Sequence, residues 1–421
     1  MSLEWKYEKL EKLCSFDKKS MDPLDNVEYY HYSFPAFDNN KEPEIELGQD
    51  IKSTKLIFKK GDILFNKLNV KFKRVWNIDF DIEDNSICST EFIPIQAKNI
   101  DRDFLYYCLI SPNFTNEMKY LSTGTSNSHQ RIKPKDLKEY DIFLPKDKIT
   151  QSKIGYVLKL LDKKISINLE INKTLTKIAL LLFKNWFVDF NFLNENNNPY
   201  KEDNGKMKDS ELGFIPIDWE IDILGNYLKI ERGLSYKGKY LSDKGVPLIN
   251  LGNILPNTEF RLEKLKFYSG EFDRKYEVNV GDILVANTDL TQDRLVLGSP
   301  IIVPSLIDAE SIIYSHHINR LSNFKLPKFY IFYNLLSERY NHMVSGYATG
   351  TTVLAISKKS INDYQIVLPP EKLLLKFEEI AKNIEKIKDN NLLEIKKLTK
   401  IRDTLLPELM SGEIDVSNIT L

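Results

Sequence analysis

The sequence predicts an α+β protein built from a duplicated unit: two mixed, mostly β globules separated by two long helices that pack antiparallel. Three observations carry that prediction. GDIL occurs at 61–64 and again at 281–284, and LTKI at 175–178 and again at 398–401, in a chain of 421 residues. The two offsets, 220 and 223 residues, nearly agree, so the matches report one duplication rather than two coincidences. The third observation is a change of period. After each strand-like segment ending in Leu-Pro, YDIFLP at 140–145 and YQIVLP at 364–369, apolar residues stop alternating and recur every three or four positions, as they do when a helix replaces a strand.

Each element can be justified in chain order. Trp5 in SLEWKYEKL and Trp219 in IDWEIDIL open the two units. The glycine of each GDIL supplies a turn ahead of an apolar strand. TGT recurs at 123–125 and 349–351 and reads as a turn whose hydroxyls cap backbone groups. The first helix is expected over roughly 147–190, with Leu158, Leu161, Ile165, Asn168, Asn172, Leu175, Ala179, Leu182 and Trp186 at spacings of three and four. A shift of 223 maps these onto Ala381, Ile384, Lys388, Asn391, Ile395, Leu398, Arg402, Leu405 and Leu409, while Ile380, Ile387 and Ile401 also look core-facing. Asn168 and Asn391 coincide under the shift, and an asparagine in a helix seam can fix register. A helix of about 40 residues is about 60 Å long, more than a compact domain needs, so the two apolar stripes are expected to bury one another. The hydrophilic run FLNENNNPYKEDNGKMKDSELG at 192–213 reads as a linker. The expected division is 1–146 globule, 147–192 helix, 193–212 linker, 213–370 globule, and 371–421 helix and tail.

Composition bounds the function. With 42% hydrophobic and 28% charged residues the chain is an ordinary globular one, long enough for several cores. MSLEWKYEKLEKL carries charges where a secretory signal needs an apolar core, so a cytoplasmic location is expected, with no membrane partner. Cys14, Cys88 and Cys108 lie far apart with no zinc spacing and are expected to be small buried residues. A net charge of −1 gives no global sign of a nucleic-acid partner. Locally, Lys52–Trp76 holds eight Lys or Arg against the single acid Asp62, interleaved with Phe58, Phe65, Phe72 and Trp76, the character of a phosphate-contacting surface.

The order of elements, KDSELGFIPIDWE at the start of the second unit, LFKNWFVDF at the end of the first helix and LLPELMSGEI at the end of the second together resemble the specificity (S) subunits of type I restriction-modification enzymes. The resemblance covers essentially the whole chain. It implies two target recognition domains, each reading one half of a split, asymmetric double-stranded DNA site, with the helices as a coiled-coil ruler that docks methyltransferase subunits. It also implies that the chain has no catalytic residues and binds no metal or cofactor of its own. S-adenosylmethionine, ATP and Mg are then expected in partner subunits: two methyltransferase (M) subunits, and restriction/translocase (R) subunits that cleave foreign DNA in host defence.

Phosphate contacts call for Lys and Arg, and base readout for Arg, Asn, Gln, Ser or Thr on loops that enter a groove. In the first unit the candidates are Lys67, Lys71, Lys73 and Arg74, with Ser128, His129, Gln130 and Arg131 of SNSHQR. In the second they are Arg232, Ser235, Tyr236 and Lys237 of ERGLSYKGKY, with Asn287, Gln292 and Arg294 of ANTDLTQDR.

Enzymatic alternatives are weak. NNPY at 197–200 has Asn198 where the adenine-gripping loop of amino-methyltransferases has proline, and it sits in the hydrophilic run. His316 and His317 in SHHIN, taken as a strand, point to opposite faces. No Walker-type phosphate loop is present. Two other readings keep the architecture: a specificity subunit serving a type II enzyme that both methylates and cleaves, and a coiled-coil scaffold that binds protein without DNA specificity, for which the net charge is the best support.

Overall fold

The computed structural model describes residues 4–39, 41–122, 130–256, 259–289, 295–350 and 353–420. It divides into two units, residues 1–166 with 397–421, and residues 167–396. Each mixes helices with small sheets, an α+β architecture, and the two repeat one plan.

In the first unit a four-stranded sheet has the order Cys14–Ser15, Phe92–Ala97, Ile63–Asn66, Val75–Asn77. In the second the order is Lys229–Arg232, Ile318–Ser322, Ile283–Ala286, Pro300–Ile302. Every pairing in both sheets is antiparallel. The strand that begins each sequence repeat pairs with the one ending in Leu-Pro: Trp5 lies opposite Pro145, and Glu220 opposite Leu368. A further sheet in each unit contains one parallel pair, Glu28–Tyr32 with Ser86–Cys88 and Val246–Ile249 with Ile313–Tyr314. Two short helices follow each four-stranded sheet, Arg102–Ile110 and Pro112–Leu121 in one unit, Lys328–Leu335 and Glu338–Gly346 in the other. Ser111 and Ser337 cap the second helix of each pair by accepting from the N–H of Phe114 and of Tyr340.

The repeated GDIL has a physical cause. Gly61 and Gly281 adopt φ of 95° and 88°, a region that side chains disfavour. The N–H of Gly61 donates to Ile78 O, that of Ile78 to Asp62 O, and that of Lys59 to the Asp62 carboxylate. In the second unit Gly281, Val303, Asp282 and Asn279 make the same three bonds. A cation on the first residue of the following helix clamps each glycine carbonyl: Arg102 Nε donates to Gly61 O and Lys328 Nζ to Gly281 O, both at 2.9 Å. A Cβ on Gly281 would meet nothing closer than the Lys328 ammonium at 3.6 Å, so the glycine is needed for its backbone angle, not for space. Gly281→Ala should therefore cost roughly 1–2 kcal/mol, readable as a lower thermal midpoint; an unchanged midpoint would show that the turn relaxes freely.

The long helices run Lys148–Phe187 and Glu371–Ser411. Within the second unit Asn168 Nδ2 donates to Glu394 Oε2 at 2.8 Å, Asn172 Nδ2 to Lys388 O at 3.1 Å, and Asn391 Nδ2 to Asn172 Oδ1 at 2.8 Å. Numbers rise along one helix as they fall along the other, so the segments are antiparallel. Within the first unit Arg402 donates to Asp162 at 2.7 Å, and Leu406 and Leu409 share a core with Ile154 and Leu158. The seam asparagines pair crosswise: Asn168, which is buried, meets Glu394, and Asn391 meets Asn172. Lys388, a cation on the expected apolar stripe, does turn inward, where Glu385 neutralises it at 2.9 Å. Ile387 and Ile401, which look core-facing in sequence, are instead 46% and 47% exposed. Gly412 ends the second helix at φ 81°, and a Cβ there would collide with the Trp5 indole at 2.7 Å.

The hydrophilic run after the first helix is ordered onto the second unit. Phe192 stacks between Tyr200 and Trp219, with ring centroids at 4.8 and 5.2 Å. Met207–Lys208 and Ile215–Pro216 form a two-stranded ribbon there. Among the described residues no helix is long and apolar enough to cross a membrane.

Candidate nucleic-acid interface

In both units some of the candidates, Lys67–Arg74 and Asn287, sit where the chain leaves the GDIL strand. In the first unit Asn69, at φ 54°, donates its N–H to Gln130 O, and Ile132 donates to Lys67 O. These bonds bring 67–74 and 130–131, far apart in sequence, onto one surface. Lys71 and Lys73 are exposed and have no acidic partner among the described residues. Lys71 Nζ lies 5.1 Å from the Phe72 ring, itself 49% exposed. Lys67 is half-buried, its ammonium donating to Thr90 O at 2.7 Å, and burial pulls its pKa below the usual lysine range. Arg131 pairs with Glu91 at 2.8 Å but keeps 56% of its side chain exposed.

Arg74 is placed differently. Its guanidinium makes a two-pronged contact with the Asp38 carboxylate and lies 4.9 Å from both the Phe34 and Phe72 rings, leaving the side chain 16% exposed. A guanidinium so engaged anchors the loop rather than facing outward.

In the second unit Arg232, Tyr236 and Asn287 meet a turn formed by His316 and His317. Leu234 bridges to Ser315, and the N–H of His316 donates to Leu234 O. Two candidates share one acceptor, since Arg232 Nε and Asn287 Nδ2 both donate to His316 O, at 3.1 and 3.0 Å. Asn287 is buried and also donates to Asn319 Oδ1, so its amide holds the turn together. Ser235 and Lys237 are exposed, and Tyr236 meets the His316 ring edge-on at 6.0 Å. Ser128, His129, Gln292 and Arg294 lie outside the described residues, as do the first TGT and Thr351. Of the second TGT, Thr349 Oγ1 donates to Ala355 O and Gly350 adopts φ 116°.

The histidine pair corrects the sequence reading. His316 and His317 occupy a turn, not a strand, so their rings do not part to opposite faces but pack together with centroids 3.9 Å apart. SHHIN was the visible signal; what hid its place was that Ser315 ends one short pairing and Ile318 begins the next.

Other reactive groups are quiet. Burial pushes the Cys14 thiol up to about 12 and those of Cys88 and Cys108 further, so all three are poor nucleophiles. Donor atoms of His31, Glu44 and Glu46 lie within 4.8 Å of one another. Hydrogen bonds engage part of that group, His31 Nδ1 with Glu46 at 2.5 Å and Ser33 Oγ donating to Glu44 at 2.7 Å, while His31 Nε2 is buried without a partner among the described residues.

Residues 2–177 match the family model for the type I restriction modification DNA specificity domain. The chain is 28% identical to the MjaIX specificity subunit of a type I restriction enzyme from Methanocaldococcus jannaschii, over 77% of this chain and 72% of that one. It is 26% identical to the HindI specificity subunit from Haemophilus influenzae, over 86% and 88%. In fold it resembles the crystal structure of a type I restriction-modification S subunit from M. genitalium, with a TM-score of 0.55 at 16% identity over 97% of this chain and 96% of that one. Over residues 2–177 the chain is thus similar to the type I restriction modification DNA specificity domain, and over most of its length to specificity subunits of type I restriction enzymes.

Proposed function

We propose that this chain is the non-catalytic sequence-reading subunit of a restriction-modification enzyme, and that it directs methyltransferase and restriction subunits to a bipartite, asymmetric DNA site. The observation that carries the reading is the repeated frame. The same four-stranded sheet and the same glycine turn occur twice, and the side chains that follow differ. One frame with two loop sets suits one site with two unlike halves. Residues 1–146 and 213–370 serve as the two target recognition domains, 147–192 and 371–421 as spacers, and 193–212 as the connection. Lys67, Lys71, Lys73, Gln130 and Arg131 face one half-site, and Arg232, Ser235, Tyr236 and Lys237 the other, with phosphate contacts positioning the protein and base contacts specifying the sequence. Two methyltransferase subunits supply the S-adenosylmethionine chemistry, and restriction subunits the ATP- and Mg-dependent cleavage.

The test is to co-express the chain with the methyltransferase encoded beside it and map N6-methyladenine across the host genome, omitting the chain as control. A gapped, asymmetric motif that vanishes in the control is expected. Identical marks with and without the chain would remove the specificity role and favour a protein-binding scaffold.

A further inference from the structure

We infer that His317 is a specificity-determining residue of the second unit, donating a hydrogen bond from Nε2 to an acceptor on a base edge, with Thr288 as its positioning residue. The inference rests on the reading of the chain as a DNA-recognition subunit. The turn stands at the point where the segments 232–237 and 287–289 meet, tied in by Leu234, Arg232 and Asn287. Its backbone is held from both sides: His316 O accepts from two side chains, and His317 O accepts from the N–H of Asn287.

The His317 ring is held as firmly. Its Nδ1 lies 3.0 Å from Thr288 Oγ1, and one face packs on the His316 ring. Thr288 is buried and belongs to a strand paired with Leu354–Ala355, so the hydroxyl that meets Nδ1 is itself fixed. Nε2 takes no partner among the described residues and is not among the buried, unpaired nitrogens, in contrast to His316 Nδ1. A ring immobilised at one nitrogen and open at the other has the geometry of a reading group.

Its charge state fits that role. Burial, then the neighbouring His316, Arg232 and Lys266, lowers the His317 pKa, so the ring is neutral near pH 7. A neutral imidazole offers one donor and one acceptor. When the Thr288 hydroxyl donates to Nδ1, Nε2 carries the proton. Beside Arg232 and Lys266 the complementary groups are acceptors: purine N7, guanine O6 or thymine O4. The ring thus acts by directional hydrogen bonding rather than as a counter-ion to phosphate.

The test uses the full chain with its methyltransferase and compares methylation motifs. His317→Phe keeps a ring against His316 and deletes both nitrogens. It should leave one half-site and the gap unchanged and relax one position of the other half-site, lowering base preference there by about fivefold to tenfold. His317→Ala should relax the same position. A wild-type motif at wild-type occupancy in either variant overturns the inference while leaving the specificity role intact. Loss of methylation at all sites in both variants also overturns it, since the turn would then serve the fold alone. If the unaltered chain yields no gapped motif, the inference falls together with the function it rests on.

Discussion

Phe377→Ala should lower the stability of the second unit by about 3–5 kcal/mol, the range for removing a fully buried phenylalanine. The ring is fully enclosed, with centroids of Phe187 at 5.2 Å, Tyr333 at 5.6 Å, Phe183 at 5.8 Å and Trp186 at 6.2 Å. These neighbours come from the first long helix and from Lys328–Leu335, so one side chain joins three helices of the unit. Several interlocked rings cannot collapse into the space a lost phenyl leaves, and the cavity persists. Chemical denaturation followed by tryptophan fluorescence reports the change, because Trp186 and Trp219 both lie in this core. The comparison is Ile387→Ala on the same helix, where an exposed side chain should cost within about 0.5 kcal/mol. Equal losses at the two positions would show that the cluster is not the unit's main support.

Lys71→Ala combined with Lys73→Ala should weaken DNA binding without unfolding the first unit. Both ammonium groups face solvent with no acidic partner among the described residues, so neither substitution strands a buried charge. If each neutralises one phosphate, the slope of log affinity against log salt should become shallower by about 1.8, with affinity falling alike for cognate and unrelated duplexes. Titration of labelled duplexes at several salt concentrations measures this. An unchanged slope would place these lysines off the DNA. Arg74→Ala provides the contrast: it removes the partner of Asp38 and the cation between Phe34 and Phe72, so its first effect should be on stability.

The fold was legible wherever local chemistry and periodicity agreed. GDIL stands out because a left-handed glycine, a capping aspartate and an apolar strand must come in that order for the turn to close. The long helices show because Leu158, Asn168, Ala179 and Trp186, all buried, keep one face over many turns. Ile387 and Ile401 misled because an apolar residue beside a stripe looks the same whether a partner covers it or not; only packing separates them. The candidate site was half legible. The lysines of the basic run are visible as composition. The joining of Asn69 to Gln130, of Leu234 to Ser315 and of Asn287 to His316 depends on pairings across 29 to 81 residues that no local pattern encodes. Arg74 and Asn287 show the same limit: residue types suited to recognition are equally suited to holding a loop in place.

The division of the chain sets an order of assembly. Residues 167–396 are continuous and can fold as soon as they have left the ribosome, whereas the core of the first unit contains Leu406, Leu409 and Val416. The first unit must therefore wait for residues 397–421 to be synthesised. The intervening 230 residues (396 − 166) represent roughly 12–46 s at 5–20 residues per second. During that interval the nascent surface around Leu158 and Trp5 lacks its covering helix end. A chain truncated before residue 397 would stay in that state, open to proteases and chaperones in a way that the folded first unit is not.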